Sequence, residues 1–522
     1  MGPGQLMQNK EQLIKDKILS RFRQSAEFPA MANTVNLISK FNSSEDTSIS
    51  QLANIILKDY ALTSKSLKLV NSVYYSNYGE VTTISRAIIL LGFENIRNVA
   101  LTLMLFDHLQ KNSLNTDLTD TMVKSLFSGI LAQKMADDIS FIDKEEAFIC
   151  ALFHAFGKMM VAFYLPEENT EIVRFSRERE TSEDLAAASV IGISYTEIGM
   201  IIAKEWHFPE KIVNCMRKMR VMELPNKLSE FDKLHSITTI SNEIAAILST
   251  ALPKEQKEEK IKKFLNPFKD KLGLSDSKVS EFITSSVAEI GEHAETFKLD
   301  LGRVRFAREL RKWSSEAGPE ITLADSAVSL GSLKSIDLII EDEREATAET
   351  AFTKGIQDIN SAILNNYALN DIIRIVLETM YRGMQLSGLS RVLFFIKDTK
   401  RPVMGIRFGF GSGIDELRKW FEIPLGDLND IFNMAIMKQN DLVIKDIAGA
   451  DIKSLIPHWY GSKISSEVFV VLLPIVINNK PIGMFYVEGE IGGFQKISGG
   501  HLNYLKILRD QTVLAVKQKQ GY

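Results

Sequence analysis

Seven histidines serve a chain of 522 residues, so imidazole-based metal chemistry has few places to stand. The best placed is His154, in the run Ala147-Phe148-Ile149-Cys150-Ala151-Leu152-Phe153-His154-Ala155-Phe156-Gly157-Lys158. A histidine ending an apolar helix and followed by an aspartate is the pair with which a metal-dependent hydrolase grips its ion. Here the next residue is Ala155. A methyl group holds no divalent cation, which needs oxygen or imidazole donors. His154 itself reads as a core histidine bonded to a backbone carbonyl or a neighbouring side chain. Nucleophilic catalysis finds no support either. The chain has no G-x-S-x-G elbow, and neither Cys150 nor Cys215 has a histidine partner visible in the sequence. Gly409-Phe410-Gly411-Ser412-Gly413 is glycine-rich but lacks both the G-x-G-x-x-G spacing and the Gly-Lys-Ser of a phosphate loop. It reads as a strand-to-helix turn.

The elements around these residues are helical through the first 300 positions. Apolar spacing predicts helices near Asn95–Leu109, Thr121–Asp137, Lys144–Phe153, Tyr195–Trp206 and Glu210–Arg217, and over 233–251 and 276–298. Ser48-Ile49-Ser50-Gln51 has the form of a capping box. Ile84, Ile88 and Leu91 stripe a helix that Gly92 should close with a left-handed cap. Residues 253–271 and Arg303–Arg311 are dense in charge and read as solvated helix faces. From Ser314 to Leu333 the chain is rich in Gly, Ser and Ala, which suits a linker. Beyond it, helices over Ala348–Asn365 and Asp371–Leu386 precede strands at Ser390–Lys397, Val403–Phe410, Asp441–Asp446, Glu467–Ile477 and Pro481–Glu488. Asn478-Asn479 suits a tight hairpin turn between the last two. A final helix spans His501–Lys517.

At this length two or three domains are expected. Hydrophobic residues at 45% and charged residues at 25% are ordinary for a globular protein. Sixty-two basic residues against 66 acidic ones leave −4, which gives no signature of nucleic-acid binding. Two cysteines in apolar helices suggest reduced, buried thiols in a cytoplasmic protein. The apolar stretch Ile149–Leu165, interrupted by His154, Gly157 and Lys158, reads as short of a membrane span and as a buried helical turn.

Several stretches together resemble the HDOD domain, the HD-related output domain of bacterial signalling proteins. They are Phe28-Pro29-Ala30-Met31, Ile49 to Thr63 (with Asp59-Tyr60-Ala61-Leu62-Thr63), Leu67 to Ser72 (ending Asn71-Ser72), and Ile84-Ser85-Arg86-Ala87-Ile88-Ile89-Leu90-Leu91-Gly92. Tyr60 replaces the usual proline. Residues 348–520 are similar to a GAF domain, best at Leu473-Pro474-Ile475 and Lys480-Pro481-Ile482-Gly483-Met484-Phe485. The resemblance implies a multidomain fold. An all-α HD-like bundle over 20–300 follows an N-terminal helix or tail at 1–19; a linker at 301–347 leads to an α+β GAF-like domain with an antiparallel sheet at 348–522.

It also locates where a metal site would lie. An HD hydrolase would have histidine near Lys124 and His-Asp at His154-Ala155; many HDOD relatives keep a histidine where Tyr195 stands, and often a His pair where Met219-Arg220 stand. Only His154 falls on an expected ligand position. No cofactor or catalytic residue is therefore expected, and the chain reads as a non-catalytic regulator. In that reading the HDOD-like part binds other signalling proteins. The GAF-like part takes a small molecule at Gly411, Trp420, His458, Trp459 and Tyr460, or dimerises through the Ile356, Ile359, Ile363 stripe of helix 348–365. A ligand there would shift that helix and act through the linker. The alternatives are a metal-dependent phosphohydrolase of nucleotides or cyclic dinucleotides, and a nucleotide-binding effector without turnover.

Overall fold

The computed structural model describes residues 16, 18–25, 27–39, 46–71, 81–110, 116–139, 143–220, 224–225, 227–302, 304–315, 336–426 and 429–520. Ser72, residues 316–335 of the expected linker and most of the N-terminal tail lie outside them. Internal contacts divide the chain into two units, Met1–Phe41 with Arg97–Val328, and Asn42–Ile96 with Ser329–Tyr522. The stretch 42–96, which carries much of the HDOD wording, groups with the C-terminal residues.

Helices come first. They are α1 (Glu27–Ser39), α2 (Asp46–Lys58), α3 (Tyr60–Val70), α4 (Ile84–Leu91), α5 (Phe93–Gln110), α6 (Thr116–Asp138), α7 (Lys144–Phe153) and α8 (Phe156–Tyr164). Then come α9 (Pro166–Glu178), α10 (Glu183–Val190), α11 (Tyr195–Glu205), α12 (Glu210–Cys215), α13 (Glu230–Leu248), α14 (Lys254–Leu272), α15 (Asp276–Thr296) and α16 (Arg305–Ser315). No strand precedes residue 300 among the described residues.

Local chemistry explains many of these boundaries. Ser194 and Ser229 start α11 and α13 with reciprocal capping boxes to Glu197 and Asp232. Gly273 ends α14 in the left-handed conformation, φ 67 and ψ 25. Two expectations need correction. Helix α2 already runs from Asp46, so Ser48–Gln51 lies inside it rather than at its start. Gly92 does close α4 with a positive φ of 88, but its ψ is 153. That is extended backbone open essentially to glycine alone, not a left-handed helical cap.

In the first unit α6 is the central element, buried around most of its circumference from Leu118 to Ala136. A helix buried on most sides belongs inside a core, and α7, α13 and α15 pack against it. The window Lys144–Tyr164 is, contrary to the sequence reading, long and apolar enough to cross a membrane by length and composition. It is 72% buried inside the protein and breaks into α7 and α8 at His154-Ala155.

The second unit holds α2–α4 and a six-stranded antiparallel sheet. Helices α17 (Ile336–Leu364) and α18 (Leu369–Met384) lead into β1 (Leu389–Lys397) and β2 (Val403–Gly411). After α19 (Ile414–Arg418) come β3 (Glu422–Pro424), α20 (Ile431–Lys438), β4 (Leu442–Ile444) and α21 (His458–Gly461). Strands β5 (Val468–Ile477) and β6 (Lys480–Glu490) and helix α22 (Gly499–Gln520) complete it. The strand order is β3-β2-β1-β6-β5-β4. Asn478 and Asn479, at φ 50 and 56, make the expected two-residue hairpin between β5 and β6. Strand β5 is buried almost throughout because both faces of the sheet are covered. Helices α18 and α22 pack on one face, and residues of alternate parity, including Leu393, Phe395, Met484 and Tyr486, face a second core with Phe421, Phe432 and Tyr460. β3 escaped the sequence reading because three residues carry no measurable alternation. Ile359 and Ile363 of the α17 stripe are buried within this unit, and Ile356 is half-buried.

Candidate functional site

The expected metal positions lie on helices of the first unit, several of which pack against one another. Asp120 and Lys124 sit one turn apart on α6, His154 caps the end of α7, Lys158 lies on α8, Glu183 and Asp184 open α10, and Tyr195 opens α11. Two glycines allow the close packing. A Cβ on Gly157 would meet the Tyr195 carbonyl oxygen at 1.8 Å and the Gly199 nitrogen at 2.7 Å. Gly157 and Gly199 thus let α8 and α11 touch backbone to backbone.

The charges of this cluster satisfy one another. Lys124 Nζ is 2.9 Å from Asp120 Oδ2, and Lys158 Nζ pairs with Glu183. Burial and the nearby Lys158 charge hold the Lys124 ammonium below the usual lysine range, against the pull of Asp120. Burial raises the Glu183 carboxyl, but Lys158 and Lys124 outweigh it and keep the group below the usual range. Asp120 behaves likewise: burial acts upward, and Lys124 together with the Phe306 N–H, donating at 2.8 Å, prevails. Tyr195 donates its hydroxyl to Asn169 Oδ1 at 2.7 Å, and burial followed by the Glu183 charge pushes its phenol up. Asp184 receives both the backbone N–H and the hydroxyl of Thr196, at 3.0 and 2.6 Å.

His154 is bonded as a core histidine would be. Its Nδ1 lies 2.7 Å from the Cys215 carbonyl oxygen, so Nδ1 carries the proton and donates it. Burial lowers its pKa, opposed by that carbonyl bond. Cys150 and Cys215 are both fully buried and unbridged. The Cys215 thiol, hydrogen-bonded to that of Cys150, together with burial raises the Cys150 pKa well above its ordinary value, leaving a protonated, inert sulfur. At the Met219-Arg220 position, Met219 is buried and its N–H donates to Thr239 Oγ1 at 3.0 Å. Trp206 and Phe208 pack with Phe28, Phe153 and Phe156 in an aromatic core.

These donors do not fit a divalent ion. Lys124 offers an ammonium, Ala155 a methyl, and Tyr195 a phenol already committed to Asn169. Among the described residues no three His, Cys, Asp or Glu side chains gather where they could hold a metal. Two lysine amines instead pair with carboxylates in this cluster, Lys124 with Asp120 and Lys158 with Glu183.

The candidates in the sheet-bearing unit divide differently. Gly411 is not open to a ligand on its backbone side: its N–H donates to Asn54 Oδ1 at 2.9 Å, while Asn54 Nδ2 donates to the Gly409 carbonyl at 3.1 Å. Tyr460 is fully buried, with its hydroxyl 2.9 Å from that of Tyr486, which donates to Glu488 Oε2 at 2.5 Å. Arg391 closes this chain, 3.1 Å from Glu488 Oε1. Trp459 stacks on Phe432 and Trp420 on Phe421, with the Lys463 ammonium 4.6 Å from the Trp420 ring centre. Only His458 of the five projects as an exposed side chain. The sequence presents Lys158 only as a charge interrupting an apolar stretch and gives no sign of Glu183. Their pairing spans 25 residues, and local spacing does not report it.

Residues 28–221 match the HDOD domain family. The chain carries an HDOD domain. Part of the chain is 23% identical over 231 residues to an uncharacterized protein of Treponema pallidum (strain Nichols), 44% of each length, so the match spans less than half of that relative. An HDOD domain protein of unknown function from Geobacter sulfurreducens aligns with 53% of this chain and 97% of its own, at 19% identity and a TM-score of 0.39. The GAF domain of an Acinetobacter phosphoenolpyruvate-protein phosphotransferase covers 33% of this chain and 93% of its own, at 13% identity and a TM-score of 0.27.

Proposed function

We propose that this protein is a non-catalytic regulator of signal transduction. Its HDOD domain presents an interaction surface to other signalling proteins, and its sheet-bearing, GAF-like part senses or assembles. The observation that carries this reading is the substitution of donors in the HDOD site. An amine, a methyl and an engaged phenol stand where a hydrolase would need imidazoles and a carboxylate, and the amines are neutralised internally by Asp120 and Glu183. Metal-assisted hydrolysis requires an ion that can bind and activate water, and this donor set offers neither a coordination sphere nor an open position within one. Two buried, unbridged cysteines are in keeping with action in the reducing cytoplasm.

The reading is tested by incubating the full chain with cyclic di-GMP and with linear and cyclic mononucleotides in the presence of manganese, magnesium or iron(II). Product should form no faster than in buffer with metal alone. Turnover that disappears on removing the metal would overturn the proposal. Calorimetric titration with the same compounds separates a nucleotide-binding effector, which would release or absorb heat without hydrolysis.

A further inference from the structure

The observations converge on the first turn of α4. A helix start leaves backbone N–H groups without intrahelical partners, and here two carboxylates take them. Ile84 and Ser85 donate their backbone N–H groups to the two oxygens of Glu378, at 2.5 and 2.6 Å. The Thr82 N–H, the Thr82 hydroxyl and the Thr83 hydroxyl donate to Asp358 Oδ2 at 3.0, 2.8 and 3.0 Å. The Arg86 guanidinium pairs with Asp358 Oδ1, and the Arg382 guanidinium donates to the Thr82 carbonyl. Asp358 is 1% exposed and Glu378 0%. Asp358 stands on α17 and Glu378 on α18, the two helices that precede the sheet, and all these residues belong to one unit.

Buried carboxylates are costly unless donors meet them, so such a contact is held whole or given up whole. Burial lifts the Glu378 carboxyl, against the Arg382 charge and the donors of Ser85 and Ile84; these partners are what keep the charge tolerable. Immediately after α4 comes Gly92, in its glycine-only conformation. Helix α5 then starts at Phe93 in the sheet-bearing unit and continues from Arg97 as part of the first unit.

We propose that Asp358 and Glu378 are a latch by which α17 and α18 hold α4, so that a rearrangement of the sheet-bearing unit passes through α4 and Gly92 into α5. The route differs from one through residues 316–335. Its purpose rests on the regulator reading above; its mechanics do not, and a hydrolase could carry the same latch.

Hydrogen exchange of the full chain, read by mass spectrometry, tests it with D358N and E378Q made singly. Loss of the charged acceptors should accelerate exchange about tenfold at residues 81–91, and the acceleration should continue across Gly92 into 93–110 while 230–296 keep their original rates. Acceleration confined to 81–91 overturns the coupling. An equal rise over 230–296 also overturns it, because the carboxylates would then only support global stability. If neither variant folds, Thr82→Val removes one hydroxyl donor to Asp358 and leaves the Thr83 cap of α4 in place. Unchanged exchange over 81–110 in that variant overturns the latch.

Discussion

Replacing Gly157 by alanine should destabilise the HDOD helices by about 3 kcal/mol. The added Cβ would stand 1.8 Å from the Tyr195 carbonyl oxygen and 2.7 Å from the Gly199 nitrogen, against an ordinary contact of ~3.5 Å. Both obstacles are backbone, so no rotamer change relieves them. Helices α8 and α11 must part by roughly 1.5 Å, and a gap of that size forfeits much of the dispersion contact between them. The same displacement would strain the Lys158–Glu183 pair, because Lys158 follows Gly157 directly. For a unit of this size each kcal/mol moves the melting point by about 2–4 °C, so the variant should melt ~6–12 °C lower. Thermal unfolding of the full chain, followed by far-ultraviolet circular dichroism, reads this as an earlier first transition. Gly199→Ala, whose Cβ would meet the Gly157 nitrogen at 2.8 Å, should shift it in the same direction by less. A Gly157→Ala variant melting with the parent protein would refute the close-packing argument.

Two further outcomes follow from buried groups. Cys150 and Cys215 should resist an aromatic disulfide reagent in the native protein and react fully in denaturant, since burial and their mutual contact keep Cys150 protonated; rapid labelling of the native chain would contradict the assignment. His293, 4% exposed, has its pKa lowered from 6.5 to about 4 by burial and the nearby Lys134 charge. The unfolded chain therefore binds the extra proton first, so the stability tied to this residue is complete above pH 6.5 and declines as pH falls towards about 4. Urea midpoints of the parent should fall more steeply across that window than those of His293→Gln; parallel curves would rule this out.

Much of the architecture was legible because burial leaves a periodic trace. Ile84, Ile88 and Leu91 fixed the register of α4, and Asn478-Asn479 announced the β5–β6 turn through their tolerance of positive φ. The bonding of His154 to a backbone carbonyl followed from a lone imidazole in an apolar run. What stayed hidden were partners separated in sequence. Nothing local to Lys158 points to Glu183. Nothing near Asp358 or Glu378 names Thr82 or Ile84, which lie 276 and 294 residues away. The clue available was an acid set among apolar neighbours, such as Glu378 between Leu377 and Met380, because carboxylates are seldom fully buried without a partner. The capping reading at Ser48–Gln51 failed for a related reason: the pattern is common, and Asp46 and Thr47 extend the helix ahead of it. Gly411 was singled out for its glycine-rich loop, yet Asn54, more than 350 residues earlier, occupies it.

The most direct test of the central claim is the metal content of the full chain, purified without chelator and then titrated with manganese and iron(II). With Lys124, Ala155 and Tyr195 at the donor positions, elemental analysis should find far less than one divalent ion per chain, and the titration should show no saturable binding. One or two stoichiometric ions, lost together with binding when His154 is replaced by alanine, would contradict it.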